Sequence, residues 1–436
     1  MCKEIPLTLW HSPLGMRDSF DFATRGYLKA LKSIGAEGIR IPPYSSIMQL
    51  DTEKDADLES LLDFIKPPKE AQMPPLKRVE AGDIRIGGSW VVYPKTDEKG
   101  QARPINVPIC EGSVDLGARQ QRYSNPKVVV RNIVIHHDPS SIARTHMNLI
   151  RGGKPDGVRY FGITVWETSM IPDGIARVLS ELDGIIVPSV HSLRALEGSG
   201  VDTKLAVVPH TFSEEQWPKP SNEELMVRER PKFVFYFVGS CIERKNIKGL
   251  IRCYLKAFPA RRDVVLRIKT SGYEDEIEEI YNQAAEESKI AAVDLPEIAI
   301  FTKSWPQEKM RAFHLDGDCF VSATRGEGFG LCEMEAKLCC RPVITTGWGA
   351  CVEVMSVFDR LVDYEMQNVH GMYNIGCYES DQLWANPKDH DLILKMRQAF
   401  QEGPIRDSNG WDYMHSRFNR SIIGFQLKNA FESFKM

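Results

Sequence analysis

Between residues 325 and 344 the chain reads RGEGFGLCEMEAKLCCRPVI. A short apolar run ends at Ser322 before this stretch, and a helical pattern follows the glycine turn at residues 328–331. Two carboxylates flank the turn, because Glu327 precedes it and Glu335 lies eight positions further along. A glycine turn brings backbone N–H groups close to a bound anion, and the N-terminus of the following helix adds positive potential. The stretch therefore predicts an anion site between two carboxylates that accept hydrogen bonds from hydroxyl groups, as a sugar nucleotide requires.

The length and composition of the chain limit its class. It has 436 residues, of which 42% are hydrophobic and 26% are charged, and this suits two globular domains of about 200 residues each. The formal net charge of -4 gives no electrostatic bias toward nucleic acid. No apolar window approaches the roughly 18 residues of a membrane span, and the N-terminus lacks the long apolar segment of a signal peptide. The ten cysteines form no CxxC pair, so we expect free thiols, a reducing compartment and a cytoplasmic protein.

Strand-like and helix-like segments alternate along the chain, which predicts parallel sheets with helices on both faces. We expect two doubly wound domains, with a ligand cleft at the carboxyl ends of their strands. The predicted parts are an N-terminal domain (1–213) with a proline-rich excursion (about 51–125), a charged linker (214–231), a C-terminal domain (232–410) and a terminal amphipathic helix (411–436).

The opening stretch resembles the donor site of retaining GT-B glycosyltransferases of family 4, also called group 1 glycosyl transferases. The residues that match the family pattern are Glu327, Gly328, Phe329, Gly330, Leu331, Glu335, Ala336, Pro342, Val343 and Ile344. Two details differ, since Cys332 lies where proline is common and Arg341 follows Cys340 where glycine is usual. The resemblance implies a GT-B fold, with two Rossmann-like domains facing a central cleft and a C-terminal helix that crosses back to the first domain.

The same resemblance implies roles for the residues of this stretch. Glu335 is expected to bind the ribose hydroxyls of the donor nucleotide. Glu327 is expected to hold hydroxyls of the donor sugar, with help from the backbone N–H groups of Phe329 and Gly330. Gly328 and Leu331 complete the donor-binding turn. Solvated charges or helix caps are the structural alternative for the two glutamates.

A second match, VFYFVGSCIERKNIKGLIRCYLKAF at residues 234–258, resembles the family's first donor-domain strand and the basic loop after it. Lys245 falls on the lysine that binds the diphosphate. Ser240 occupies the place of the family's usual arginine, and Arg244 is our candidate for the missing charge. The alternative is a basic loop that faces solvent. We also assign Thr302, in the loop FTKSWPQ, to the donor base, without a choice between uracil and guanine.

Residues 162–210 resemble the end of the family's acceptor domain and contribute Glu167, which either binds acceptor hydroxyls or caps the next helix. His136 and His137 follow the strand VVVRNIVI, where the family often has a histidine that contacts the donor sugar. We take His137 as a catalytic candidate and His136 as an acceptor contact. Neighbouring residues on an extended chain point in opposite directions, so we predict no metal site. In the first loop we assign Gly15 to the donor phosphate and Arg17 to the acceptor.

The resemblance implies transfer of a hexose or pentose from a nucleotide-diphosphate sugar to a hydroxyl group, with retention of anomeric configuration and without a metal or other cofactor. The acceptor is left open between a glycan, a glycolipid, a small molecule and modified DNA. Three other functions also stay open. They are transfer to a hydroxylated base in viral or phage DNA, non-catalytic binding of sugar nucleotides, and epimerisation by a GT-B relative.

Overall fold

Two six-stranded parallel sheets form the framework of the protein, as seen in a computed structural model. The structure describes residues 5–12, 19–36, 39–40, 90–96, 102–108, 128–151, 153–154, 157–227, 230–272, 274–372 and 377–434. Two parallel sheets with helices between their strands confirm the predicted α/β class. The domain boundaries stay a prediction. Below, the first domain means the first sheet with its helices, and the second domain means the second sheet with its helices.

The strands follow the predicted alternation closely. In chain order they are β1 (Ile5–His11), β2 (Ile39–Arg40), β3 (Trp90–Thr96), β4 (Ala102–Pro108), β5 (Val128–His136), β6 (Arg159–Ile163), β7 (Gly184–Val187), β8 (Leu205–Val207), β9 (Phe233–Val238), β10 (Val264–Lys269), β11 (Glu297–Phe301), β12 (Cys319–Val321), β13 (Val343–Thr346), β14 (Arg360–Val362), β15 (Tyr364–Asn368) and β16 (Leu383–Pro387). The first sheet has the order β2-β1-β5-β6-β7-β8, and the second has the order β11-β10-β9-β12-β13-β14. Two antiparallel pairs, β3–β4 and β15–β16, stand apart from these sheets.

The helices lie between the strands. They are α1 (Ser19–Ser33), α2 (Pro139–Ile150), α3 (Asp173–Leu179), α4 (Val190–Gly198), α5 (Asn222–Leu225), α6 (Ile247–Ala257), α7 (Glu274–Ser288), α8 (Gln307–Asp316), α9 (Leu331–Leu338), α10 (Asp389–Glu402), α11 (Gly410–Phe418) and α12 (Arg420–Ser433). Short 3-10 helices occupy Glu243–Lys245, Ala292–Asp294 and Ala350–Val354. Helices α2, α5 and α10 were not predicted, and α5 lies within the segment predicted as a linker. The pair β3–β4 lies within the proline-rich excursion, most of which is outside the described residues.

The apolar runs that predicted the central strands are buried on both faces, as in parallel sheets covered by helices. All four residues of β7, GIIV, are buried, and so are the first five of β9, FVFYFV. These strands place their carboxyl ends, and the loops that follow, at the edges where the two domains meet. The cysteines within the described residues are all free, whereas Cys2 and Cys110 lie outside those residues.

The single terminal helix predicted from Trp411 to Phe434 is wrong, because the structure has two helices there. Asn419 adopts an extended conformation (φ -65°, ψ 157°), which ends α11. Its side chain then accepts a hydrogen bond from the backbone N–H of Ile422 (3.0 Å) and starts α12. Asparagine favours such a cap because its side-chain oxygen satisfies a free N–H group of the first helical turn.

Helix α12 crosses back to the first domain, as predicted. Its residues Ile423 and Leu427 are fully buried against α1 and the first sheet. The ring of Phe434 stacks on Phe161 of β6 with the ring centroids 5.8 Å apart. Helix α12 and Phe434 therefore complete the core of the first domain.

A buried ion cluster holds α9 against the loops that follow it. The side chain of Lys337 is fully buried, and its Nζ lies 2.9 Å from Asp359 Oδ2 and 2.8 Å from Asp407 Oδ2. It also donates a hydrogen bond to Ser356 Oγ (2.7 Å). A buried charge needs such partners, because the protein interior solvates ions poorly.

We predict that Lys337→Met lowers the free energy of unfolding by about 3–5 kcal/mol, because it leaves two carboxylates buried without their cation. Urea denaturation followed by circular dichroism measures the loss. Lys388→Met is the matched control, since Lys388 is half-exposed and lies 3.6 Å from an exposed carboxylate of Glu365. That change should lower the free energy of unfolding by no more than about 1 kcal/mol. Equal losses in the two variants would contradict the prediction.

Candidate active site

The glycine turn lies just after β12, at the carboxyl edge of the second sheet. Gly330 has φ +91° and begins α9, a conformation that side chains with a Cβ atom rarely adopt. A Cβ atom on Gly328 would overlap the side chain of Val165 in the first domain. The carbonyl oxygen of Gly328 accepts a hydrogen bond from Ser189 Oγ (2.8 Å), and Ser189 caps α4. Glycine is therefore required for the turn itself and for the close approach of the other domain.

Glu327 is buried beside two cations. Its Oε1 accepts hydrogen bonds from Lys245 Nζ (2.6 Å) and Thr324 Oγ1 (2.8 Å). Arg244 Nη1 lies 3.3 Å from the same oxygen and also donates to the carbonyl of Gly326 (2.5 Å). The structure thus brings together Glu327, Lys245 and Arg244, which the sequence placed in one site.

Electrostatics keep these groups charged. Burial acts to raise the pKa of Glu327, but the Lys245 and Arg244 charges outweigh it and lower that pKa to about 2. Burial acts to lower the pKa of Lys245, and the Glu327 carboxylate outweighs it, so the pKa of Lys245 is raised. In the same way, burial opposes charge on Arg244, while Glu167 and Glu327 raise its pKa. The site therefore holds fixed charges of both signs at neutral pH.

The basic loop is anchored rather than turned toward solvent. Asn246 follows it in the left-handed conformation (φ 51°) and caps α6 by accepting from the N–H of Gly249 (3.2 Å). Its amide group donates to the carbonyl of Ala323, at the end of β12 (3.1 Å). Only 10% of the Arg244 side chain and 14% of the Lys245 side chain are exposed. The solvent-facing alternative is wrong for these two residues, whereas Ser240 is exposed.

The other donor-side candidates lie around this centre. Glu335, on α9, places Oε2 3.5 Å from Nε2 of the buried His314 of α8. Leu331 is half-buried at the start of α9, and the ring of Phe329 packs 4.9 Å from His210 of the first domain. Thr302 lies in the loop after β11, where its hydroxyl is 3.4 Å from Glu274 Oε1. The nucleotide-binding roles of these residues stay predictions.

Sequence reasoning missed Glu333. It lies two positions before Glu335, so the two side chains leave α9 in nearly opposite directions. Glu333 is 2% exposed, its Oε1 lies 3.4 Å from Thr345 Oγ1, and its Oε2 is buried without a hydrogen-bond partner among the described residues. Burial, together with the nearby Glu327 charge, raises the pKa of Glu333 to about 7. The signal was present in the sequence as a third carboxylate, but only the packing of α9 shows that it is buried.

Glu167 reaches the same centre from the first domain. Its Oε1 lies 3.4 Å from Arg244 Nη2, and its Oε2 accepts a hydrogen bond from Tyr378 (3.0 Å). The helix-cap alternative is wrong, because the next helix, α3, begins after Pro172 without a side-chain cap. Binding of an acceptor by Glu167 stays a prediction. Tyr378 had no local sequence signal, because it lies 211 positions away from Glu167 along the chain.

The two histidines have different surroundings. His136 is 1% exposed in the first-domain core, where Nδ1 lies 2.7 Å from Thr24 Oγ1. Burial, with His210 and His137 adding to it, lowers the pKa of His136 well below its usual value. His137 is half-buried, and its Nδ1 lies 2.5 Å from Oδ2 of Asp138, which caps the unpredicted helix α2. These surroundings favour a packing role for His136.

The other predicted site residues are the two histidines and two residues of the first loop. Gly15 and Arg17 lie outside the described residues. The catalytic role of His137 and the acceptor role of His136 stay predictions. Within the described residues, no group of three or more His, Cys, Asp or Glu side chains could hold a metal ion. No helix among those residues is long and apolar enough to cross a membrane.

Comparison with known proteins fits this geometry. Residues 222–360, which contain the basic loop and the glycine turn, match the model of the family described as glycosyl transferases group 1. No curated protein sequence matches the chain.

Solved structures extend the likeness beyond this segment to the whole fold. The pneumococcal O-GlcNAc transferase GtfA, in complex with UDP and GlcNAc, is 11% identical with a TM-score of 0.56, over 98% of this chain and 99% of that chain. Anabaena HepE, in complex with UDP and glucose, is 15% identical with a TM-score of 0.50, over 70% and 78% of the two chains. Staphylococcus aureus TarM is 13% identical with a TM-score of 0.49, over 69% of this chain and 55% of that chain, so this chain spans about half the length of TarM. At such identities the likeness confirms the GT-B fold alone.

We predict that Glu333→Gln removes a pH-dependent loss of stability from the candidate site. The Glu333 carboxyl of the folded protein holds its proton up to a pKa of about 7, whereas the unfolded chain releases it near the ordinary value of 4.5. Between these values the folded state binds more protons, so wild-type stability falls as the pH rises. Relative to wild type, the free energy of unfolding of Glu333→Gln should rise by on the order of 1–3 kcal/mol across this pH interval. Urea denaturation at several pH values measures the difference, and a constant difference would disprove the assignment.

Proposed function

We propose that this protein is a retaining glycosyltransferase that moves a hexose or pentose from a UDP-sugar to a hydroxyl group of an acceptor. The observation that carries the proposal is the contact of Glu327 with Lys245 and Arg244 beside the glycine turn. Such a site offers cations and a helix N-terminus to a diphosphate, and a carboxylate to sugar hydroxyls. The match of residues 222–360 to group 1 glycosyl transferases supports the same reaction class.

The structural relatives favour UDP over GDP as the nucleotide. GtfA was solved with UDP and GlcNAc, and HepE was solved with UDP and glucose. Glu335 is our candidate for the ribose hydroxyls, and the loop that contains Thr302 is our candidate for the base. The identity of the sugar is decided by contacts around Glu327 and by the first domain.

The charges of the site suggest how it would promote transfer. As the bond between the anomeric carbon and the β-phosphate oxygen breaks, negative charge grows on the departing diphosphate. Lys245, Arg244 and the N-terminus of α9 stabilise that charge, which favours an oxocarbenium-like transition state. The acceptor oxygen then bonds to the anomeric carbon on the same face, and its proton passes to the departing phosphate oxygen. In this proposal the two basic side chains neutralise the diphosphate without a metal ion.

Closure of the cleft is part of the proposed cycle. Glu353 of the second domain accepts hydrogen bonds from the N–H groups of Val190 and His191 at the start of α4 (3.1 and 3.0 Å). With the Ser189–Gly328 contact, these bonds bring the two domains together directly over the glycine turn. We propose that opening and closing at this seam admits the donor and then excludes water from the transfer step.

We predict that two substitutions separate binding from turnover. Glu335→Ala should weaken UDP-sugar binding by about 10–100-fold, because hydrogen bonds to a charged group are lost. Lys245→Ala should lower turnover by about 100-fold while changing donor affinity less, because the lysine acts on charge that grows in the transition state. Calorimetry measures donor binding, and the release of UDP from the donor sugar measures turnover.

Glu278→Ala is the control, because Glu278 is an exposed residue of α7. This substitution should leave donor binding and turnover unchanged. Normal binding and turnover in the Glu335 and Lys245 variants would refute the site assignment.

A thermal-shift screen with UDP-, GDP- and ADP-sugars, followed by donor hydrolysis with the best of them, tests the function itself. Stabilisation by a UDP-sugar and release of UDP are the expected results. Transfer of the sugar to duplex DNA containing a hydroxylated base would identify the nucleic-acid alternative. Binding without hydrolysis or transfer across a broad acceptor panel would identify a non-catalytic module, and release of an epimerised sugar would identify an epimerase.

A further inference from the structure

The antiparallel pair β15–β16 belongs to a segment that joins the two domains. We name this segment the strap, and its described residues are 364–372 and 377–387. At its tip, Gln382 Oε1 accepts a hydrogen bond from Thr168 Oγ1 of the first domain (3.0 Å). The backbone N–H of Ser169 donates to the carbonyl of Leu383, and the backbone N–H of Leu383 donates to Ser169 Oγ (both 2.9 Å). The strap is therefore fixed to the loop that contains Glu167.

Tyr378 of the strap holds Glu167 directly. Its ring lies 5.0 Å from the ring of Trp166, between centroids, and its hydroxyl donates to Glu167 Oε2 (3.0 Å). Trp166 is itself fixed, because its indole N–H donates to Thr168 Oγ1 (2.8 Å) and to the carbonyl of Met170 (2.7 Å). These contacts leave the Glu167 carboxylate little freedom to rotate.

The other carboxylate oxygen of Glu167, Oε1, forms an ion pair with Arg244. Nη2 of Arg244 faces Glu167, while Nη1 is engaged by Gly326 and Glu327. Nε of Arg244 is buried and has no hydrogen-bond partner among the described residues. Arg244 thus retains an unused donor at Nε, while a carboxylate of the first domain faces its Nη2.

The charges of the four groups in this arrangement cancel one another. Lys245 and Arg244 contribute two positive charges, and Glu327 and Glu167 contribute two negative charges, so the four groups together are neutral. A diphosphate is attracted by an excess of positive charge, and it meets that excess only when a carboxylate withdraws. Glu327 is tied to Lys245 within its own domain, whereas Glu167 belongs to the opposite domain and moves away when the domains separate.

We propose that Glu167 is an internal counter-anion that occupies Arg244 until a nucleoside diphosphate displaces it, and that Tyr378 is the positioning residue that holds Glu167 there. This inference rests on the proposed function and adds to it a control of donor affinity. Removing the charge of Glu167 should therefore strengthen the binding of a diphosphate, which is the opposite of what loss of a ligand contact would do.

The test compares the binding of UDP, UMP and uridine to the full chain by calorimetry. Glu167→Gln should bind UDP about 5-fold more tightly than wild type, or better, as expected for release of one coupled ion pair. The gain should be smaller for UMP and absent for uridine, because it depends on phosphate charge. Tyr378→Phe should give a smaller gain for UDP, and it should add nothing in the Glu167→Gln background, because Tyr378 acts through Glu167.

Glu197→Gln is the matched control, because Glu197 is a carboxylate of the same domain that lies exposed on α4. It should not reproduce the gain for UDP. Thermal unfolding confirms that each variant is folded. Unchanged or weaker UDP binding in Glu167→Gln, an equal gain for uridine, or an equal gain in Glu197→Gln would overturn the role of Glu167. Additive effects of the two substitutions would overturn the role of Tyr378.

Nucleotide binding by the wild-type protein distinguishes failure of this inference from failure of the proposed function. If wild type binds neither UDP nor GDP, the proposed function fails. If wild type binds GDP more tightly than UDP, the same comparison is made with GDP, GMP and guanosine. If wild type binds a diphosphate but the variants behave as the controls do, only the inference about Glu167 and Tyr378 fails.

Discussion

The buried carboxylate of Glu327 is the constraint on which the rest of the site depends. A carboxylate with 7% of its surface exposed must be neutralised by cations that are themselves fixed. Lys245 and Arg244 meet this requirement because the loop before α6 is tied to the end of β12. The backbone carbonyl of Arg244 also accepts a hydrogen bond from the N–H of Arg325 (2.7 Å), which holds the start of the glycine turn. One buried charge thereby fixes two loops from different parts of the second sheet.

The same turn sets how closely the two domains approach. Small residues at Gly326 and Gly328 let the backbone of the first domain come into contact with the turn, and larger side chains would overlap Glu167 and Val165. Hydrogen bonds from Ser189 and to Glu353 then form where the surfaces meet. Residues of the glycine turn are thus domain-contact residues, so substitutions there also change how the two domains meet.

Much of the fold could be predicted from local pattern. The apolar runs of β7 and β9 indicated buried parallel strands, and the glycine turn indicated the edge at which a ligand binds. The grouping of Glu327 with Lys245 came from a family resemblance, since nothing local relates two loops that far apart. Glu333 and Tyr378 escaped notice because their surroundings depend on which face of a helix is buried and on a segment from the other domain. Asn419 was overlooked because a cap in the middle of an amphipathic pattern does not interrupt its periodicity.

The return of α12 to the first domain also has a consequence for the order of folding. A growing chain generally folds its N-terminal units first as they leave the ribosome. Here the apolar surface around Phe161 and Trp10 is completed by Ile423, Leu427 and Phe434, which are synthesised only after the entire second sheet. Until then the first sheet carries an uncovered hydrophobic face, the kind of surface that chaperones bind. Assembly of the first domain must therefore await a helix that is synthesised after the second domain.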